Sequence, residues 1–239
     1  MDKSRFFSAF SIIAFGSRET LRHLVAPLVG ATVGLESLSA KPEQAPVDAS
    51  SDIFEKLDFD VYENTRLGYH SLGVSLIICF SELIKHIANN RGSANGHFGL
   101  KKQNDFEFHR LGPKIGSVFY WAEGVVSAGN YVRHDDEWQK LINPITKKAD
   151  GVDFNISYDG VNWIEEVAKF DDRTKKNVTI INGIGVKFET FLRHNSMAGH
   201  EIALALSLFE MDQALRFFDE WVTAVVRELE QALDINDLS

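Results

Sequence analysis

Cysteine is almost missing: Cys79 is the only one in 239 residues. An intrachain disulfide and a multi-thiolate zinc centre are therefore excluded. Set in the apolar run SLIICF, this thiol is expected to pack as a small hydrophobe, and a reducing, cytoplasmic setting is expected. Uncharged apolar runs are short as well. None reaches the ~18 residues that a membrane-spanning helix needs, so no membrane partner is expected. Basic residues are in deficit, 25 against 34 acids, for a net charge of −9. The last 39 residues hold nine acids against Arg216 and Arg227, a net of −7, which leaves −2 for residues 1–200. Strong DNA binding is not expected from so few cations, because counterion release requires a dense basic surface. Local basic spots remain at Lys101–Lys102, Arg110 with Lys114, and the RTKK stretch from 173 to 176. Also missing are a P-loop, a Gly-x-Gly-x-x-Gly after a strand, a nucleophile elbow and a His-Glu-x-x-His. NGIGVK at 182–187 is too poor in glycine for a phosphate cradle.

What is present is enough for a sizeable core. Apolar residues make up 44% and charged residues 25%, with Phe at 18 copies, the proportions of a soluble globular protein. FFSAFSIIAF (6–15) has the length of a signal-peptide apolar region, yet Ser8 and Ser11 interrupt it and GSRET follows. Phe6, Phe10 and Ile13 instead share one helix face, so residues 1–29 are read as an amphipathic helix. Residues 30–52, which carry Pro42 and Pro46 just beyond Pro27, read as a linker or surface loop. Residues 53–239 read as a helical bundle domain. A second helix is expected over about 62–89 on Val74, Ile77, Ile78, Ile84 and Ile87, followed by a mobile loop at 89–105. A third is expected over about 113–141, opened by Pro113. Irregular structure or a hairpin is expected at 145–163, and another helix near 171–182.

The firmest periodicity lies at the end. Leu204, Leu208, Met211, Leu215, Phe218, Val222, Val225 and Leu229 recur at spacings of 4, 3, 4, 3, 4, 3 and 4. That is a heptad-type stripe, which predicts one long helix packed in a bundle or against a second subunit. No strand pattern rivals it. The fold class expected is all-α, a bundle with a long C-terminal helix.

Chemistry concentrates in SAGNYVRHDDEW, residues 127–138. On a helix, Glu123, Ser127, Asn130 and His134 form a polar column flanking an apolar stripe of Ile115, Val118, Phe119, Ala122, Val125, Val126 and Gly129. Arg133 falls within the stripe's angular range, where a guanidinium must snorkel, pair with a carboxylate or face a pocket. The plainest account is a solvated helix end, with Arg133 paired to Asp136 or Glu137 and Trp138 packed on a neighbour.

GNYVRHDDEW, with Asn130 and His134 at the N-x-x-x-H separation, resembles the motif helix of the HEPN family (higher eukaryote and prokaryote nucleotide-binding). The family motif is R-x(4–6)-H, and here Gly129 stands where its Arg is expected, with Arg133 as the substitute. The resemblance implies an HEPN-like all-α dimer and a metal-independent ribonuclease of defence or toxin systems. In it His134 would work on a ribose 2′-OH, and a guanidinium would stabilise the phosphorane. RNA and a second copy of the chain are then the expected partners, with no cofactor and no metal. Catalytic candidates are His134, Arg133 and Asn130, supported by Glu123, Ser127 and Asp135. Arg193 and His200 form a second R-x(4–6)-H pair held in reserve, and Arg91–His97 is a third match read as accidental. Two alternatives stand beside this reading. One is a non-catalytic dimeric module for binding or assembly with a protein partner. The other starts from the His134-Asp135 dipeptide, similar to that of the HD-domain phosphohydrolases. Metal ligands would then be completed from His70, His86 or His109 with Asp212 or Asp219.

Overall fold

A computed structural model describes residues 2–39, 51–100, 105–115, 119–133, 180 and 198–234. Six helices and one small hairpin can be named among them. Helix α1 runs Lys3–Ser39, α2 Ser51–Phe98, α3 Asp105–His109, α4 Trp121–Arg133, α5 Ala198–Ala205 and α6 Met211–Leu233. Strands β1 (Lys114–Ile115) and β2 (Phe119–Tyr120) pair antiparallel, Lys114 opposite Tyr120 and Ile115 opposite Phe119. Helix makes up 87% of the described residues, and the fold class is all-α.

Helix α2 is the central element, packed along α1, α4 and α5, while α6 lies on α1. The core is one cluster. Phe6, Phe10, Leu21 and Val25 enter it from α1, Ile77, Phe80, Ile84 and Ile87 from α2, and Phe218, Trp221 and Val225 from α6. Phe80 meets Trp121 edge-on at 5.6 Å and Phe218 at 6.4 Å between ring centroids, the geometry aromatic quadrupoles favour. The Leu67–Phe98 part of α2 is long and apolar enough to cross a membrane by length and composition. Leu76, Ile77, Phe80, Ile84 and Ile87 in that part are wholly buried in the core.

Helix α2 begins at Ser51, ahead of its expected start near 62, and the expected boundaries shift in four further places. First, α1 continues to Ser39, well past residue 29. Its C-terminal turns carry contacts that reward helix: Leu28 and Val29 lie against the core, and a Leu35 methyl approaches the Cα side of Gly68 on α2. Pro27 sits inside α1, where it omits one backbone hydrogen bond that these contacts outweigh.

Second, the loop expected at 89–105 is helical up to Phe98. Arg91 and Ala94 are buried, and Phe98 stacks edge-on against Phe6 at 5.3 Å. Those anchors override Gly92 and Gly96. The helix stops at Gly99, whose φ of 63° is the left-handed conformation that terminates helices.

Third, the helix expected from Pro113 begins only at Trp121. Gly112, at φ 75°, turns the chain against the Trp221 backbone, 2.7 Å from where a Cβ would lie. Ile115 and Phe119 therefore belong to the hairpin and not to the helical stripe.

Fourth, the C-terminal stripe spans two helices. Ser207 adopts φ 55°, and the turn at 206–210 separates α5 from α6. No glycine or proline marks the break. It is held by the burial of Leu206 and Leu208 and by the Trp121 indole N–H, which donates to the freed Leu206 carbonyl at 3.0 Å. At the far end, Lys3 Nζ donates to the Leu233 carbonyl at 3.1 Å, a cation on the negative pole of α6. Since Leu208, Leu215, Phe218, Val222, Val225 and Leu229 are buried inside this chain, most of the stripe that suggested a second subunit is used internally, with Leu204 left half exposed. Of the linker expected at 30–52, residues 30–39 and 51–52 are helical and 40–50 lie outside the described residues, as do the segment 145–163 and most of 171–182; within the last, Ile180 is helical and buried.

Candidate functional site

Helix α4 forms because Trp121, Ala122, Val125, Val126 and Ala128 recur at helical spacing and are all buried. That helix is hemmed in further than a single apolar stripe requires, since every residue from Trp121 to Gly129 is buried. The polar column expected at the rim is thus split. Glu123 and Ser127 lie inside, 2% and 0% exposed. The buried Glu123 carboxylate accepts a 2.8 Å hydrogen bond from Arg110 Nε, which reaches in from solvent. The Ser127 hydroxyl has no hydrogen-bond partner among the described residues. Both groups are therefore enclosed by the fold and not set on an exposed rim.

Asn130 and Arg133, one turn further on, emerge at the surface beside α2. The Asn130 side-chain oxygen accepts a 2.7 Å hydrogen bond from Lys85 Nζ. Arg133 forms an ion pair with Glu82. Glu82 and Lys85 lie three apart on α2, as Asn130 and Arg133 do on α4, so neighbouring rows of the two helices interlock. Of the three outcomes open to Arg133, it takes a carboxylate, here one from α2; Asp136 and Glu137 lie outside the described residues. The Glu82–Lys85 row went unnoticed in the sequence because the second helix was read only from its apolar residues.

Gly129 has the firmest geometric meaning. A Cβ at this position would fall against the Ser81 hydroxyl, well inside van der Waals contact. Ser81 is itself wholly buried. Position 129 therefore points into the α2–α4 seam, where the two backbones approach through a Gly–Ser contact.

The reserve candidate His200 lies on α5, far from this spot. Its ring stands 5.1 Å from Tyr69 and 5.3 Å from Phe209. Tyr69 and Glu82 are 13 residues apart on α2, about 20 Å at the helical rise. Burial, partly offset by Glu201, holds the His200 imidazole below its ordinary value of 6.5. The unfolded chain then binds more protons as pH falls. The contribution of the neutral ring is whole above about pH 6.5 and is lost on acidification below it. Replacing His200 with leucine should make the unfolding midpoint fall less steeply between about pH 7.5 and 5.5; equal slopes for both proteins would refute this packing role.

His134, Asp135 and Arg193 lie outside the described residues. The other ligands considered for a metal are dispersed. His70 Nδ1 accepts the Gly199 N–H at 3.1 Å, His86 engages the Asn90 amide, and Asp219 pairs with Arg18 at 3.0 Å. Among the described residues no group of three His, Cys, Asp or Glu is placed to hold a metal ion. Arg91, of the match read as accidental, is a structural residue that binds Glu228.

No family model, curated protein or solved structure matches this chain.

Proposed function

We propose that this chain is a non-catalytic helical binding and assembly module, HEPN-like in its motif helix but without metal-independent ribonuclease chemistry. The observation that supports this is the place of Gly129. The residue before Asn130 should present a guanidinium to a scissile phosphate, yet position 129 is turned into the seam against Ser81. Arg133 is a poor substitute, because its charge is already opposed by Glu82. A transition-state anion is stabilised by donors aimed at it in advance, not by ones that must first leave a carboxylate. The amide oxygen of Asn130 is likewise turned to Lys85. The Arg133–Glu82 pair is solvent-exposed and worth about 0–1 kcal/mol, so a partner with complementary polar groups can exchange it readily, as a binding surface requires.

Purified protein incubated with RNA and chelator is expected to show no cleavage beyond that of His134→Ala. Cleavage by the wild type that His134→Ala abolishes would overturn the reading.

A further inference from the structure

The face of α1 turned away from the core carries a second stripe that no described residue covers. Arg5, Ser8, Ile12, Phe15 and Glu19 recur at spacings of 3, 4, 3 and 4, the rhythm of a coiled-coil seam. They lie opposite Phe6, Phe10, Ala14, Ser17 and Leu21, the residues that α1 buries. Ile12 is 73% exposed and Phe15 50%, neighbours one turn apart in the middle of the stripe. Arg5, Ser8 and Glu19 are exposed too, and neither Arg5 nor Glu19 forms an ion pair among the described residues. Gly16 borders the stripe, with nothing within 4 Å of where its Cβ would stand.

This arrangement is self-complementary under one operation. A two-fold axis through Ile12 that sets two α1 helices antiparallel places each residue opposite the one equally far on the other side. Ile12 then meets Ile12, Phe15 lies over Ala9, Ser8 faces Gly16, and Arg5 meets Glu19 twice over. Small residues oppose the large ring and the hydroxyl, and opposite charges close both ends. A parallel pairing would set Arg5 against Arg5 and Glu19 against Glu19. Isologous contacts of this kind close after two copies.

We propose that the outer face of α1 is a homodimer surface, in which a second copy of this chain packs antiparallel across Ile12 with reciprocal Arg5–Glu19 pairs. It deepens the binding-module reading by naming a partner, and it moves the dimer contact from the C-terminal stripe, most of which is used internally, to α1. One helix pair of this length falls below the roughly 1,200 Å² of standard interfaces, so the dimer is expected to be concentration-dependent.

Sedimentation equilibrium over a concentration series, on the full chain, tests this. Wild type is expected to pass from monomer to dimer, and Ile12→Glu to stay monomeric. Arg5→Glu and Glu19→Arg each create two like-charge contacts by symmetry and should weaken Kd on the order of ten-fold or more. The double swap, Arg5→Glu with Glu19→Arg, should restore dimerisation. All three positions are exposed, so unchanged thermal unfolding at low concentration confirms that the variants fold. A wild type that stays monomeric throughout, whether or not it binds lipid vesicles or another protein, overturns the proposal. So does a dimer that survives Ile12→Glu, or a double swap that fails to recover. None of these results bears on the RNA assay, so the two readings fail separately.

Discussion

Replacing Arg91 with alanine is expected to destabilise the protein by about 3–5 kcal/mol, since removing one partner leaves a buried charge uncompensated. Arg91 is 1% exposed, the most deeply buried charge among the described residues. Its Nε and one terminal nitrogen donate to the two Glu228 oxygens at 2.5 and 2.7 Å, and the other terminal nitrogen donates to Asn95 at 3.0 Å. The guanidinium also lies 4.8 Å from the centre of the Phe108 ring. One side chain thus fastens α2, α6 and α3, and its bidentate fork uses geometry that lysine cannot reproduce. The Glu228 side chain keeps 22% of its surface, so the stranded carboxylate reaches some water and the lower half of the range is expected. The pair need not be a net stabiliser. Exchanging both partners for apolar residues, Arg91→Met with Glu228→Leu, should recover most of the loss. Urea midpoints for the single and double variants measure this. A single variant that loses less than about 1 kcal/mol would show that the bridge is replaceable by water.

That pair also shows where the sequence was readable and where it was not. The apolar rows of α2 and α6 announce themselves, because Ile77, Ile84, Ile87, Phe218, Val222 and Val225 repeat at helical spacing and are buried. Residues 89–98 read as loop because Gly, Asn and Ser dominate local propensity. What makes them helical is non-local, an arginine whose carboxylate is 137 residues away. The break after α5 is hidden for the opposite reason. Leu204, Leu208 and Met211 keep the heptad rhythm across it, yet Leu204 is half exposed and Leu208 is buried within a turn. Periodicity reports which residues want burial, not whether one rigid rod delivers them.

At the candidate site, a carboxylate was one of three outcomes open to Arg133, and the one it meets, Glu82, stands on α2. Angular placement on one helix says nothing about what stands opposite, and α2 was read there only for its apolar residues. Glu123 and Ser127 were assigned to the rim because polar residues flanking a stripe usually find water. Here α4 is covered on more than one side, so a buried carboxylate draws in Arg110.

The seam at Gly129 gives the second large effect. Ala in place of Gly within a helix normally stabilises by about 1 kcal/mol. Here the added methyl meets Ser81 across two backbones that are already close, and overpacking of this kind costs about 1–3 kcal/mol. The net expectation for Gly129→Ala is a loss of about 1–2 kcal/mol, the sign opposite to propensity. Ser81→Ala alone should be close to neutral or slightly stabilising, since it removes a buried hydroxyl with no hydrogen-bond partner among the described residues. Ser81→Gly in the Gly129→Ala background should return stability toward wild type, because the two positions share one gap and are not additive. Gly129→Arg, which writes the family's Arg-Asn-x-x-x-His into the chain, is the harsher case. Its side chain has no room unless α4 separates from α2, so it should lose more stability than alanine and gain no cleavage. A Gly129→Arg protein that keeps its unfolding midpoint and degrades RNA would mean that position 129 can reach a groove. The binding-only reading would then have to be given up.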